Sequence, residues 1–174
     1  MPRIHVCSLA RLPQTVRETG ASHLATLISA ETSVPTPTGI ASENHLFLGF
    51  NDIIEPAEGL IPPAQVHVER LIDFAIHWDR TSPMVIHCYA GVSRSTAAAF
   101  ITLCTLDPRL DEAELAQELR RRSPSATPNL RLVRFADALL ARDGRMVAAI
   151  EAIGRGRDCY EGDPFHFAVD AALR

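Results

Sequence analysis

The sequence predicts an α/β domain: a mainly parallel sheet of four or five strands, flanked by helices. Three observations predict it. Short apolar runs alternate with stretches of helical period through the first two thirds of the chain. One such run, 84–87, leads through a tight glycine-containing loop into a largely apolar helix. The last third reads as amphipathic helices suited to covering a sheet. With 174 residues and 47% hydrophobic content, the chain is large enough for one domain with a sizeable core. That domain is expected to span 1–153, with a linker and a possible C-terminal helix over 154–174.

"RIHVCSL" (3–9) is apolar and bounded by polar residues, which suits a buried strand. "LPQTVRETG" (12–20) reads as a helix with Pro13 in its first turn and Gly20 at its end. "HLATLIS" (23–29) is a second strand, and the Pro- and Thr-rich 31–44 a loop. "HLFLGF" (45–50) is a third strand, followed by irregular chain over 51–63. Between Pro62 and Asp79, apolar residues at Ala64, Val68, Leu71, Ile72, Ala75 and Trp78 have helical spacing. "MVIH" (84–87) is a fourth strand, and 95–106 a helix apolar enough to be buried.

Asp111 is the expected N-cap of a helix over 111–122, with acids in its first turn and arginines in its last, as the helix dipole favours. Further helices are expected over 128–142 and 145–153. Residues 154–163 read as a linker. In 163–174, Asp163 and Pro164 look like the cap and first residue of a terminal helix.

The net charge of −4 argues against a large nucleic-acid-binding surface. All seventeen basic residues are arginine, which fits a compositional bias. Cys7, Cys88, Cys104 and Cys159 form no CxxC pair, so neither a zinc site nor a disulfide framework is expected. Free thiols point to a reducing compartment. The N-terminus lacks a signal-peptide apolar core, and no run reaches the ~20 apolar residues of a membrane span. The expected location is cytoplasmic, with no membrane and no nucleic-acid partner.

The chemistry concentrates in "HCYAGVSRS", 87–95. A loop that enters a helix can turn successive N–H groups of Tyr89, Ala90, Gly91, Val92 and Ser93 toward one point, with the helix dipole behind them. Such a loop cradles an anion. Gly91 gives the loop its freedom, and carboxyl ends of strands are where open α/β sheets bind ligands. Cys88 would lie at the floor. Helix N-termini and nearby cations favour the thiolate form of a cysteine, its nucleophilic form. Arg94 offers a planar fork of donors matched to two oxygens of a tetrahedral anion. Ser95 can hydrogen-bond the sulfur.

Cys-x5-Arg-Ser, with His87 before it and Gly91 within it, resembles the signature of cysteine-dependent protein tyrosine phosphatases and dual-specificity phosphatases. The short chain is most similar to their dual-specificity or small bacterial members. The resemblance extends from the first strand to about residue 142. "RRRSPSATPN" (120–129) is similar to the stretch that follows the signature in dual-specificity enzymes, although Ser123 separates Arg122 from Pro124.

The resemblance implies a phosphate monoester hydrolase acting through a phosphocysteine, with no metal and no cofactor. Its substrate would be a phosphorylated protein, phosphotyrosine foremost, or a small aryl phosphate. It also implies a general acid on the loop after the third strand. Asp52 is the first candidate, with Glu55 and Glu58 as rivals on the same loop; the Trp-Pro-Asp triplet of classical tyrosine phosphatases is missing. His87 either orders the loop or is a plain buried histidine. Asn129 either positions the hydrolytic water or simply starts a helix. Two other functions fit a cysteine loop of this kind: a catalytically weak module that binds phosphorylated partners, and a rhodanese-type sulfurtransferase. A nucleotide-binding P-loop is excluded, since there is no lysine at all.

Overall fold

The computed structural model describes residues 2–169. Five strands and six helices follow the expected alternation: β1 (Arg3–Ser8), α1 (Leu12–Thr19), β2 (His23–Ile28), β3 (His45–Gly49), α2 (Gln65–His77), β4 (Met84–Cys88), α3 (Arg94–Leu106), α4 (Glu112–Arg122), α5 (Leu130–Leu139), α6 (Arg145–Ile153) and β5 (Phe165–Ala168). The strands form one sheet in the order β3-β2-β4-β1-β5. The first four are mutually parallel, and β5 runs antiparallel to β1.

Alternation along the strands divides the core in two. Ile4, Val6, Ala25, Leu27, Leu48, Met84 and Ile86 face a large core completed by α2 to α6. Cys7, Leu24 and Val85 face a smaller one with Leu12 and Val16 of α1 and with Ile40. Every residue of β2 and β4 is buried, as expected for strands covered on both faces. In α3 every residue from Arg94 to Cys104 is buried.

Helix ends follow local chemistry. Gly20 closes α1 at φ 63° and Asp111 caps α4 by accepting from the Glu114 N–H. Both carboxylate oxygens of Asp137 accept N–H groups of Gly144, Met146 and Val147 at the start of α6.

Two expectations are corrected. The helix expected over 128–142 runs only from Leu130 to Leu139. Ala141 takes a left-handed φ of 52°, and Arg142 turns inward to the Glu112 carboxylate at 2.8 Å and the Cys104 carbonyl at 2.6 Å. That buried pair outweighs the helical period of the sequence. The terminal helix expected over 163–174 is instead a strand over 165–168; residues 170–174 lie outside the described part. Phe165 and Phe167 alternate inward while the His166 ring lies against His5, with centroids 5.2 Å apart. Alternate aromatics have the period of a strand, and the free edge of β1 supplies the partner. The sheet therefore continues past residue 153.

The stretch expected as a linker has no regular secondary structure, and hydrogen bonds pin it to the protein at several points. Gly156 donates to Thr127 Oγ1, Arg157 to the Pro124 carbonyl and Gly162 to the Ala90 carbonyl. The Arg120 guanidinium bonds the carbonyls of Pro124, Ala126, Ile153 and Gly154.

Candidate active site

The loop 89–93 joins the end of β4 to the start of α3 at the carboxyl edge of the sheet. Its carbonyls are tied to flanking segments. Tyr89 O accepts from Leu9 N–H, Ala90 O from Gly162, Val92 O from Thr127, and Ser93 O from Ala97 and Asn129. In a trans peptide the N–H points opposite to the carbonyl it shares, and there is no cis bond among the described residues. The N–H groups of Ala90, Gly91, Ser93 and Arg94 therefore point away from those anchors. Gly91 shows where: its N–H donates to Cys88 Sγ at 3.3 Å.

Gly91 is required twice over. Its φ is +73°, and a Cβ there would lie 2.9 Å from the Cys7 carbonyl carbon and 2.9 Å from the Ser8 nitrogen. Both are backbone atoms of β1, which have no room to yield.

Cys88 Sγ is 3.1 Å from Ser95 Oγ in the first turn of α3, and Cys88 is 2% exposed. Arg94 is also buried. Its Nη1 donates to the Phe50 carbonyl at 2.9 Å, while its Nε is buried with no hydrogen-bond partner among the described residues. A buried guanidinium N–H without an acceptor is costly and suits a site built for an anion.

Asp52 stands at the rim. Its Oδ1 accepts from Ser93 Oγ at 2.8 Å and from Asn129 Nδ2 at 2.9 Å. Asn129 also donates to the Ile53 carbonyl, and its Oδ1 caps α5 by accepting from Leu132 N–H. It thus starts a helix and tethers the loop after β3. Arg131 reinforces the tether through the Pro63 and Ile54 carbonyls. No hydrogen bond links Glu55 or Glu58 to the loop 89–93 or to Asn129 among the described residues.

His87 is fully buried. Its Nδ1 meets the Cys88 carbonyl at 3.3 Å and its Nε2 meets Thr26 Oγ1 at 2.8 Å. Burial is the main cause that pushes its pKa down to about 4, so it is neutral at pH 7.

Sequence reasoning missed several contributors: the Ser93 hydroxyl on Asp52, the Phe50 carbonyl on Arg94, Gly162 behind the loop, and Thr26 beneath His87. Each contact joins segments far apart in the chain, and no local signal marks it. Cys7 and Cys104 are buried, and burial pushes both thiols up to about 12. Cys159 is exposed, and all four cysteines are free. No cluster of three or more His, Cys, Asp or Glu side chains among the described residues has the arrangement of a metal site. No helix among them is long and apolar enough to cross a membrane.

No protein-family model matches the sequence, and no curated protein matches it. Solved structures do. The chain is similar to DUSP15, with a TM-score of 0.64 and 17% identity over 87% of this chain and 92% of that one. It is similar to human DUSP28, at 0.60 and 20% over 80% and 94%. The PTP-2 phosphatase of Cydia pomonella matches at 0.59 and 18% over 78% and 84%. The architecture is thus that of the cysteine-dependent dual-specificity and protein tyrosine phosphatases.

Proposed function

We propose that this protein hydrolyses phosphate monoesters, phosphotyrosine and other aryl phosphates foremost, through a phosphocysteine formed on Cys88. The observation that carries the reading is the buried, unpartnered Nε of Arg94, in the residue that closes a loop whose carbonyls are anchored outward. A bound phosphate would give that N–H its acceptor.

In the first step the Cys88 sulfur attacks phosphorus, forming the S–P bond as the P–O bond to the leaving group breaks. Asp52 gives its proton to the leaving oxygen. In the second step water attacks phosphorus, Asp52 takes its proton, the S–P bond breaks and the sulfur departs with its electron pair. Ser95 stabilises that departing sulfur by a hydrogen bond, and inorganic phosphate leaves. The loop amides and Arg94 hold the three equatorial oxygens, where charge gathers, so the protein supplies the electrostatic stabilisation itself.

Exposed Ile54, Leu60 and Ile61 lie on the loop that carries Asp52, and an apolar rim supports an aryl leaving group. Glu55 and Glu58, exposed on the same loop, disfavour polyanionic esters. The free thiols support action in a reducing compartment such as the cytoplasm.

Hydrolysis of p-nitrophenyl phosphate tests the reading. Turnover by the wild type is expected, lost in Cys88→Ser while vanadate still binds. Asp52→Ala should lower kcat on the order of 10²–10⁴-fold for phenyl phosphate, and less for the better p-nitrophenolate leaving group. A wild type without turnover, or a fully active Cys88→Ser, overturns it.

A further inference from the structure

Behind the loop, on the α1 face of the sheet, four side chains from three strands and a surface loop form a continuous hydrogen-bonded chain. Thr36 Oγ1 lies 2.7 Å from His45 Nδ1. His45 Nε2 lies 2.8 Å from Thr26 Oγ1, which lies 2.8 Å from His87 Nε2. His87 Nδ1 reaches the Cys88 carbonyl at 3.3 Å. The strand order makes this possible, because β3, β2 and β4 are neighbours.

The direction of every link follows from its last member. A backbone carbonyl only accepts, so His87 Nδ1 carries the proton. The ring is neutral at pH 7, its pKa lowered to about 4 chiefly by burial, so Nε2 is bare and accepts. Thr26 has a single hydroxyl proton and gives it to His87. Its oxygen must then accept from His45, whose proton sits on Nε2. Burial also lowers the pKa of His45, so that ring too is neutral at pH 7, with a bare Nδ1 that accepts the hydroxyl proton of exposed Thr36. One carbonyl thereby fixes four protons, and the two imidazoles hold opposite tautomers.

We propose that Thr26 and His45 are positioning residues for Cys88: with Thr36 they form a one-way hydrogen-bond chain that locks His87 in its Nδ1–H tautomer, aimed at the carbonyl of the nucleophile. That bond resists rotation of the peptide joining β4 to the loop, and so holds the sulfur at the floor of the cradle. The role rests on the reading of Cys88 as the nucleophile; the order of the hydrogen bonds does not.

Nitrogen-15 spectra of the full chain at pH 7, without substrate, read the tautomers directly. His87 is expected with Nδ1 protonated and Nε2 bare, and His45 with the reverse. Thr26→Val should lose the pattern at His87 and lower kcat for p-nitrophenyl phosphate on the order of tenfold with KM little changed, below the ~10²-fold cost of a full 1 Å misplacement. Thr26→Ser should restore both. If Thr26→Val does not fold, a second pair decides. His45→Gln, which can donate and accept in the same two directions, should stay near wild type, and His45→Leu should fall.

Two rings in the same tautomer overturn the chain. Opposite tautomers with a Thr26→Val or His45→Leu as active as wild type overturn the positioning role. A wild type with opposite tautomers that hydrolyses no ester overturns the catalytic reading of Cys88, and the positioning role with it, while the hydrogen-bond order stands.

Discussion

Asn129 donates to Asp52 across 77 positions of sequence, Nδ2 to Oδ1 at 2.9 Å, while its own Oδ1 caps α5. One amide thus serves two purposes, which substitutions can separate. Asn129→Asp keeps the cap and loses the donor. It should lower kcat for phenyl phosphate, because Asp52 loses its anchor and meets a second carboxylate. Asn129→Ala should lose both, with the urea midpoint falling by the equivalent of about 1 kcal/mol. Equal kcat in Asn129→Asp and wild type would show that the contact does not hold Asp52 for its role.

Gly91→Ala should be severe. The left-handed φ costs a non-glycine residue ~1–2 kcal/mol, and the added methyl meets the β1 backbone at 2.9 Å. A loss of more than ~2 kcal/mol in urea unfolding is expected, with vanadate binding abolished in whatever remains folded.

His87 gives stability a pH dependence of known sign. Its pKa falls from 6.5 in the unfolded chain to about 4 in the native protein, so between those values the unfolded state binds more protons. Its contribution is complete above pH 6.5 and is lost as pH falls toward 4, by on the order of 3 kcal/mol. His5, also brought to about 4, mainly by burial, acts in the same direction. Urea midpoints at pH 7.5 and 4.5 should converge in His87→Gln relative to wild type, and an unchanged difference would contradict the burial of a neutral ring.

The thiols should sort by environment. At pH 7.5, iodoacetamide is expected to label exposed Cys159 and to spare Cys7 and Cys104, whose thiols burial holds at about 12. All four should label in denaturant, as peptide mass spectra would show. Native labelling of Cys104 would mean that α3 opens locally.

Most of the architecture was legible because its signals are local. Apolar runs separated by turns mark β1 to β4. The strand, glycine and apolar helix around 84–106 mark the loop, whereas Asp52 is singled out, ahead of Glu55 and Glu58, only through what the family resemblance implies for the loop after the third strand. What stayed hidden depends on which strands become neighbours. His87 stands out by its place before Cys88, but Thr26 and His45 are unremarkable until β2 lies between β3 and β4. The same holds for the end of α5, where the buried Arg142 and Glu112 pair outweighs a helical pattern. In 163–174 two local signals compete: Asp163–Pro164 favours a helix start, while Phe165 and Phe167 favour a strand, and the open edge of β1 decides. Arg94 and Ser95 were legible from their spacing after Cys88, but the Phe50 carbonyl beneath the guanidinium was not.

The bond from Gly162 to the Ala90 carbonyl and the pairing of β5 with β1 give the fold a timetable. A growing chain emerges N-terminus first, so the nucleophile loop and four parallel strands leave the ribosome before the residues that buttress that loop and cover that edge. A nascent chain paused after α6 presents β1 as a bare border, open to pairing with any extended peptide nearby. Residues 162–168 therefore both brace the loop from behind and close the border through which one copy could recruit another.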